Sequence, residues 1–310
     1  MPHRPKPTAD RRPPALQPGD VVAVAAPAGP VPRDAFFRGL RILEGRYLVQ
    51  HDEAIFSREG YLAGSDTRRA AELNRYLRDP RVKAIVCARG GYGLLRILPL
   101  LDADALRARP RPLVGFSDVT ALLAWAHGTA GVRPIHGPVV TQLAELPAAD
   151  ASALVRLLEE PAPAGPWFRD LKAVVPGRTR GPLVGGNLEV LSRLVGTRYL
   201  PRLQGAILVL EEVGERPYRL DRTLTQLLLA GVLDGVAGVV VGCLEKCDEP
   251  DGSGPSAAEV VRERLGPLGV PFCFGAPVGH AERNKAFPFG APALLDATAG
   301  TLDLAEGAVA

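Results

Sequence analysis

The sequence predicts an α/β protein built on a mainly parallel sheet, and three observations carry that expectation. Short apolar runs, Val21–Ala26 (VVAVAA), Val82–Ala88 (VKAIVCA) and Pro112–Phe116 (PLVGF), stop abruptly at Pro, Gly or polar residues. Continuous runs of that length fit strands buried on both faces, as in parallel sheets, rather than one-sided strands that alternate. Segments of helical period stand between the runs, which is the rhythm of strand–helix–strand units. The 310 residues are 46% apolar and 23% charged, the balance of a globular protein and not of a disordered chain or a coiled coil. One large domain or two of about 150 residues fit this length.

The elements follow in chain order. Residues 1–17 are polar, basic and Pro-rich, with no apolar stretch of the kind a secretory signal carries, and are expected to be a disordered tail. The first strand, Val21–Ala26, ends at Pro27-Ala28-Gly29-Pro30. A helix is expected over Asp34–Leu43. A second, capped by Ser65-Asp66, runs to Arg78 with Ala70, Leu73, Tyr76 and Leu77 at helical spacing, and Asp79-Pro80 stops it. The strand Val82–Ala88 runs into Arg89-Gly90-Gly91-Tyr92-Gly93, and Leu94–Leu101 is a short helix broken by Pro99. The third strand, Pro112–Phe116, leads to Ser117-Asp118 and a helix to Ala126. Residues 161–181 hold four Pro and three Gly, the best candidate for a linker between a domain at 18–160 and another at 182–310. Beyond it come a strand at Gly205–Val213 and a helix at Arg219–Ala230 with Leu220, Leu224, Leu227 and Leu228 on one face. A strand at Gly235–Gly242, a helix at Ser256–Leu265, an apolar run at Val270–Gly275 and a hairpin over Ala293–Leu304, turning at Ala299-Gly300, complete the chain. There is no internal repeat and no glycine-rich phosphate motif.

Composition excludes several functions. The net charge of +3 is spread along the chain, which argues against a nucleic-acid partner. No apolar run reaches the ~18 residues of a membrane helix. Cys87 and Cys273 lie in apolar runs, and Cys243-x3-Cys247 has no second pair, so neither a metal site nor any cofactor is expected. A reduced, cytoplasmic protein fits the cysteine usage.

Four motifs could carry chemistry. In Gly115-Phe116-Ser117-Asp118 a strand enters and a helix leaves, so a serine hydroxyl is pushed out at a sharp turn beside helix N–H groups. That is the geometry of a nucleophile elbow, although the G-x-S-x-G pattern is absent; a simple helix cap by Ser117 or Asp118 stays open. Arg89–Gly93 is a loop that can approach a ligand closely or serve only as a tight turn. Glu211-Glu212 ends a buried strand, where α/β proteins place their sites, with the two side chains on opposite faces and at least one expected in solvent. Of the five histidines, His136 and His280 follow apolar segments, and His280 is preferred as a base because a strand and a glycine precede it. Asn187, in Gly185-Gly186-Asn187-Leu188, reads as a helix cap or a polar site residue.

Taken together, Tyr61–Leu73 (YLAGSDTRRAAEL), Ala88–Asp102 (ARGGYGLLRILPLLD), Pro112–Leu123 (PLVGFSDVTALL), Gly185–Leu191 (GGNLEVL), Leu208–Leu227 (LVLEEVGERPYRLDRTLTQL) and Gly279–Gly290 (GHAERNKAFPFG) resemble the LD-carboxypeptidase family of serine peptidases, in order and spacing. That family includes muramoyltetrapeptide carboxypeptidases and microcin C self-immunity peptidases. The resemblance implies an N-terminal three-layer α/β domain carrying a serine, a smaller C-terminal α/β domain carrying Glu and His, an active site in the cleft between them, and a homodimer. It assigns Ser117 as nucleophile, Glu211 and His280 as its triad partners, and the backbone N–H groups of Gly91 and Asp118 as oxyanion donors. Arg89, Tyr92, Asn187 and Arg222 are candidates for substrate binding, the two arginines for a substrate carboxylate. The implied partner is a small peptide, either a murein peptide or a peptidyl-nucleotide. The chain departs from the family pattern in Gly45–Gln50 (GRYLVQ), which lacks a glycine before the second strand, and at Phe287, where leucine is usual. Rival readings are a non-catalytic binding protein on the same fold and an α/β-hydrolase esterase; the intact Ser, Glu and His oppose the first, and the absent G-x-S-x-G opposes the second.

Overall fold

The computed structural model describes residues 10–162 and 165–310. The chain forms two compact units: Met1–Pro161 with Lys285–Phe289 and Ala308–Ala310, and Ala162–Asn284 with Gly290–Gly307.

The first unit begins with β1 (Val21–Ala25), buried at every position but its first. There follow α1 (Arg33–Glu44), β2 (Leu48–Gln50), α2 (Asp66–Arg78), β3 (Val82–Cys87), α3 (Leu94–Ile97), α4 (Ala103–Ala108), β4 (Leu113–Gly115), α5 (Thr120–Trp125), β5 (Ile135–His136), α6 (Val140–Leu143) and α7 (Ala148–Glu159). A two-residue strand from much later in the chain, β12 (Phe287–Pro288), pairs antiparallel with β5. The sheet order is β12-β5-β4-β3-β1-β2, with β2 through β5 parallel. Right-handed crossovers place α1 on one face and the helices leading to β3, β4 and β5 on the other, giving three layers. α1 packs on α6, and α2 packs on α3 and α4.

The chain leaves β1 toward β2 on one side and reaches β3 on the other. The strand order therefore reverses between β1 and β3, and the loops after these strands meet at a switch point, where open α/β sheets bind ligands. These loops are Pro27–Pro30 and Arg89–Gly93. They touch backbone to backbone: Gly29 N–H donates to Gly90 O at 3.0 Å. A Cβ on Gly91, whose φ is +117°, would lie 3.0 Å from Gly29 Cα. The first two turns of α2 hold both loops. Arg68 donates to Ala26 O (3.1 Å) and Ala63 O (2.8 Å), while Glu72 accepts from Ala26 N–H at 2.8 Å. Arg69 is fully buried; it donates to Pro27 O at 2.6 Å and Gly93 O at 3.0 Å, and pairs with Asp66. A buried guanidinium this well bonded is a structural clamp, because each charged hydrogen bond contributes ~1.5–3 kcal/mol when its partners would otherwise be orphaned.

The second unit contains β6 (Pro166–Phe168), β7 (Lys172–Val175), β8 (Arg178–Asn187), α8 (Leu188–Ser192), β9 (Ile207–Val213), α9 (Pro217–Leu229), β10 (Gly238–Glu245), α10 (Ala257–Leu265), β11 (Phe272–Phe274), β13 (Pro292–Asp296) and β14 (Thr301–Leu304). The sheet order is β6-β14-β13-β8-β9-β10-β11-β7. Its centre, β8 to β11, is parallel and its flanks are antiparallel. The hairpin expected at the C-terminus is β13–β14, closed by Asp296 opposite Thr301. α9 buries Leu220, Leu224 and Leu227, and α10 starts with a capping box of Ser256 and Glu259.

Three expectations about organisation are corrected. The Pro-rich stretch 161–181 is not a linker: its described residues hold β6, β7 and the start of β8. β6 and β7 are the two outermost strands of the sheet, and proline is tolerated at edges because a missing N–H there breaks no ladder. The C-terminal part is not one block from 182 onward, since residues 285–289 and 308–310 return to the first unit. Residues 10–17 are not disordered. Arg11 N–H donates to Gly131 O (2.8 Å) and Leu16 N–H to Leu158 O (2.8 Å), and Leu16 is buried. The rest of the expected tail lies outside the described residues. α7 had no counterpart in the sequence reading, although Ala153, Leu154, Leu157 and Leu158 form its buried stripe.

Candidate active site

In the first unit the site is built around the turn after β4. Ser117 has φ +64°, in the left-handed region that non-glycine residues enter at a cost of ~1–3 kcal/mol. Local preference does not explain such a conformation, and the surroundings impose it. Gly115 has no room for a side chain against Val119, and a Cβ on Gly90 would lie 2.8 Å from Ser117 Cβ and 3.0 Å from its Oγ. The glycine loop at the switch point thus packs directly on the serine. Gly90 is the residue in contact, one position before the glycine expected to donate to an oxyanion. The next residues form a 3₁₀ turn, Ser117–Val119, that runs into α5, so a helix N-terminus starts beside the hydroxyl.

Neither Ser117 nor Asp118 caps the helix it opens. Instead the buried Asp118 carboxylate accepts from Leu94 N–H at 2.9 Å and caps α3, tying the glycine loop to the elbow. Burial pushes this carboxyl up to about 6, against the pull of the Leu94 bond and of Arg69. Arg89 is exposed and donates to Pro30 O at 2.5 Å. Tyr92 is half exposed and meets the still more exposed Tyr61 edge-on, with ring centroids 5.5 Å apart.

In the second unit, Glu211 and Glu212 end β9. Both are buried, contrary to the expectation that one lies in solvent. Strand alternation sends them to different partners. Glu212 accepts from Asn187 Nδ2, Glu189 N–H and Val213 N–H, each at 2.8 Å. Burial nonetheless raises it to about 7. Asn187 also accepts from Val190 N–H at 3.1 Å, so it caps α8 and spends both ends of its amide in the fold. Arg222 is exposed on α9, its guanidinium 5.4 Å from the Tyr218 ring centroid.

Glu211 Oε2 lies 2.7 Å from His280 Nδ1. The carboxylate is fully buried and the imidazole side chain 19% exposed, so one nitrogen is anchored while the ring reaches the surface. Burial pulls the His280 pKa down, but the hydrogen bond and charge of Glu211, with Glu212 and Glu245 adding, outweigh it and leave it raised. The loop is fixed around this pair. Gly279 has φ +125°, and a Cβ there would overlap Cys243 Sγ and come within 2.9 Å of Glu211 Oε2. Gly279 N–H donates to the buried Asn284 Oδ1 at 3.2 Å, and His280 N–H donates to Cys243 Sγ at 3.0 Å.

The other described histidines have core or packing roles. His136 is buried and stacked on Phe287, with centroids 4.6 Å apart; His127 meets Phe289 and His51 meets Phe36 edge-on. Among the described residues no group of three His, Cys, Asp or Glu side chains is placed to hold a metal ion. No helix among them is long and apolar enough to cross a membrane. Sequence reasoning missed Arg69 and the place of Cys243 at the His280 loop. The one signal for Cys243 was its place at the C-terminal end of a buried strand beside the strand carrying the two glutamates.

Two family models cover most of the chain. The LD-carboxypeptidase N-terminal domain matches residues 22–137 and the LD-carboxypeptidase C-terminal domain matches residues 180–295. A Streptomyces coelicolor protein that carries a carboxypeptidase name is 42% identical, over 94% of this chain and 96% of its own. The murein tetrapeptide carboxypeptidase of Pseudomonas aeruginosa is 35% identical, over 89% of this chain and 92% of its own. In fold, the chain is similar to the microcin C7 self-immunity protein MccF solved with aspartyl sulfamoyl adenosine: the TM-score is 0.88 at 22% identity, covering 97% of this chain and all of that one. A strained serine on a switch-point sheet, a buried Glu–His pair and two matching domain models agree: this chain belongs to the LD-carboxypeptidase family and is a serine-type peptidase.

Proposed function

We propose that this protein is a metal-independent serine carboxypeptidase that releases terminal D-alanine from a murein tetrapeptide by hydrolysing an L,D-amide bond. The observation that carries the reading is the 2.7 Å contact of His280 with a fully buried Glu211. A carboxylate in that position fixes the imidazole tautomer and stabilises the ring once it is charged. Ser117 attacks the carbonyl as His280 Nε2 takes its proton, and the same nitrogen returns the proton to the leaving amine. The N–H groups of Gly91 and Asp118 stabilise the oxyanion. Arg89 and Arg222, both exposed, are the candidates for the substrate carboxylate, with Tyr92 beside the glycine loop. Asn187 serves the site through Glu212 and α8 rather than by its own amide. Supporting the substrate class is the name of the P. aeruginosa relative. The protein would act in the cytoplasm, in peptidoglycan recycling, as a homodimer.

The test is release of D-alanine from the tetrapeptide by wild-type protein and by the Ser117→Ala, Glu211→Gln and His280→Ala variants, with a peptidyl-nucleotide assayed in parallel. Tetrapeptide turnover that falls at least ~10³-fold in Ser117→Ala supports the reading. Full activity in Ser117→Ala refutes the mechanism, and turnover of the peptidyl-nucleotide alone moves the substrate to the microcin-immunity class.

A further inference from the structure

Cys243 lies two residues past the buried run of β10, next to β9, and its backbone and side chain both hold the loop that carries His280. Its N–H donates to Val278 O at 2.9 Å, and its sulfur accepts the His280 N–H at 3.0 Å. The backbone of Ala281 also donates to the sulfur. Two successive N–H groups, those of His280 and Ala281, therefore converge on one thiol. Space there is exhausted, because Gly279 packs so tightly against Cys243 Sγ and Glu211 that not even a methyl group fits. Of the four cysteines, all free, Cys243 alone is partly exposed; Cys87, Cys247 and Cys273 are buried.

We propose that Cys243 is a positioning residue for His280, and that modification of its thiol switches the enzyme off by displacing that loop. The proposal rests on His280 acting as the base. Glu211 from β9 bonds the imidazole directly, while Glu212 from β9 and Glu245 from β10 act on it by charge and Cys243 from β10 holds its backbone. Removing the sulfur frees two N–H donors, lets the loop drift and weakens the Glu211 contact. Misplacement of that kind costs activity in kcat rather than in substrate affinity. A bulky sulfur adduct does the same by steric force. With methyl methanethiosulfonate, the Cys243 thiolate displaces methanesulfinate, forms a methyl disulfide and leaves its proton to the buffer; dithiothreitol reduces the disulfide and restores the thiol. Burial raises the thiol pKa, so the reaction quickens as pH rises.

The experiment measures kcat, KM and the His280 ring titration by NMR in wild type, Cys243→Ala and Cys243→Ser, using His280→Asn to assign the signal. Cys243→Ala is expected to lower kcat about tenfold to a hundredfold at similar KM and to move the imidazole titration to lower pH. Cys243→Ser keeps an acceptor and recovers most of both. The reagent inactivates wild type reversibly and leaves both variants unaffected. Unchanged kcat and titration in Cys243→Ala overturns the proposal, as does equal inactivation of Cys243→Ser. Should Cys243→Ala not fold, the serine variant and the wild-type reagent test decide the matter. Full activity in His280→Asn would instead defeat the base assignment, while the titration shift in Cys243→Ala would still report on positioning.

Discussion

At the scale of single residues, Ser117 is held against its own preference. Its left-handed backbone is enforced by the neighbouring glycines, and that strain is separable from the hydroxyl. Ser117→Ala and Ser117→Gly should both abolish peptidase activity, yet the glycine variant should be the more stable by about 1 kcal/mol, because only glycine adopts this conformation freely. Thermal denaturation of the two inactive variants measures the difference, and equal melting temperatures would remove the strain argument. His280 supplies the second residue-scale prediction. A general base must be neutral to act, and Glu211 raises its pKa, so the acid limb of kcat/KM should lie above the ordinary histidine range near 6.5. Glu211→Gln removes the charge, so that limb should move to lower pH while kcat falls by up to ~10⁴-fold. A limb that stays in place would mean that another group titrates there.

Elements explain why some of this was legible and some was not. β1, β3, β9 and β10 could be read directly because strands buried on both faces need unbroken apolar runs, and such runs are rare outside a parallel sheet. Ser117, Glu211 and His280 stood out because each follows such a run. That Arg69 and the Asp118 carboxylate clamp the glycine loop carried no signal, since the groups they hold there are main-chain atoms that no side-chain pattern encodes. Arg69→Ala should cost ~2–4 kcal/mol by orphaning Pro27 O, Gly93 O and Gly64 O in a buried place. It should also lower kcat, because the glycine loop loses its clamp; a variant with wild-type stability in urea would show the clamp to be idle. Gly279→Ala meets both Cys243 and Glu211 at a positive φ, so loss of activity should exceed loss of stability there. Comparing turnover with melting temperature tests that.

For the molecule as a whole, three raised pKa values act in one direction. Asp118 is raised to about 6 and Glu212 to about 7, both by burial, and His280 is raised by its acidic neighbours. A group whose folded pKa exceeds its unfolded value contributes stability below the unfolded value and loses it as pH rises through the folded one. For Asp118 the window runs from 3.8 to about 6. Stability should therefore decline across this range, by an amount on the order of 3 kcal/mol for Asp118. Asp118→Asn keeps an oxygen for Leu94 and loses the titration, so its urea midpoint should change less between pH 4 and 6.5 than that of wild type. Parallel curves would place the carboxyl in its ordinary range. The division into two units was legible only in outline. Proline density marked the right region, but Pro166 opens one edge strand and Pro176 follows the other, and pattern alone does not distinguish an edge from a connector.

The strand β12 gives the first unit a history as well as a shape. During synthesis the N-terminal 161 residues leave the ribosome with most of that unit's sheet, yet the outer side of β5 has no neighbour until Phe287 and Pro288 emerge. A further seam closes later still, when Ala310 N–H reaches Pro13 O and Ala15 N–H reaches Ala310 O. The first unit is begun before the second and completed after it, so the whole second unit is translated inside that interval. Loss of Ala308–Ala310, harmless to the candidate catalytic groups, would leave this seam open.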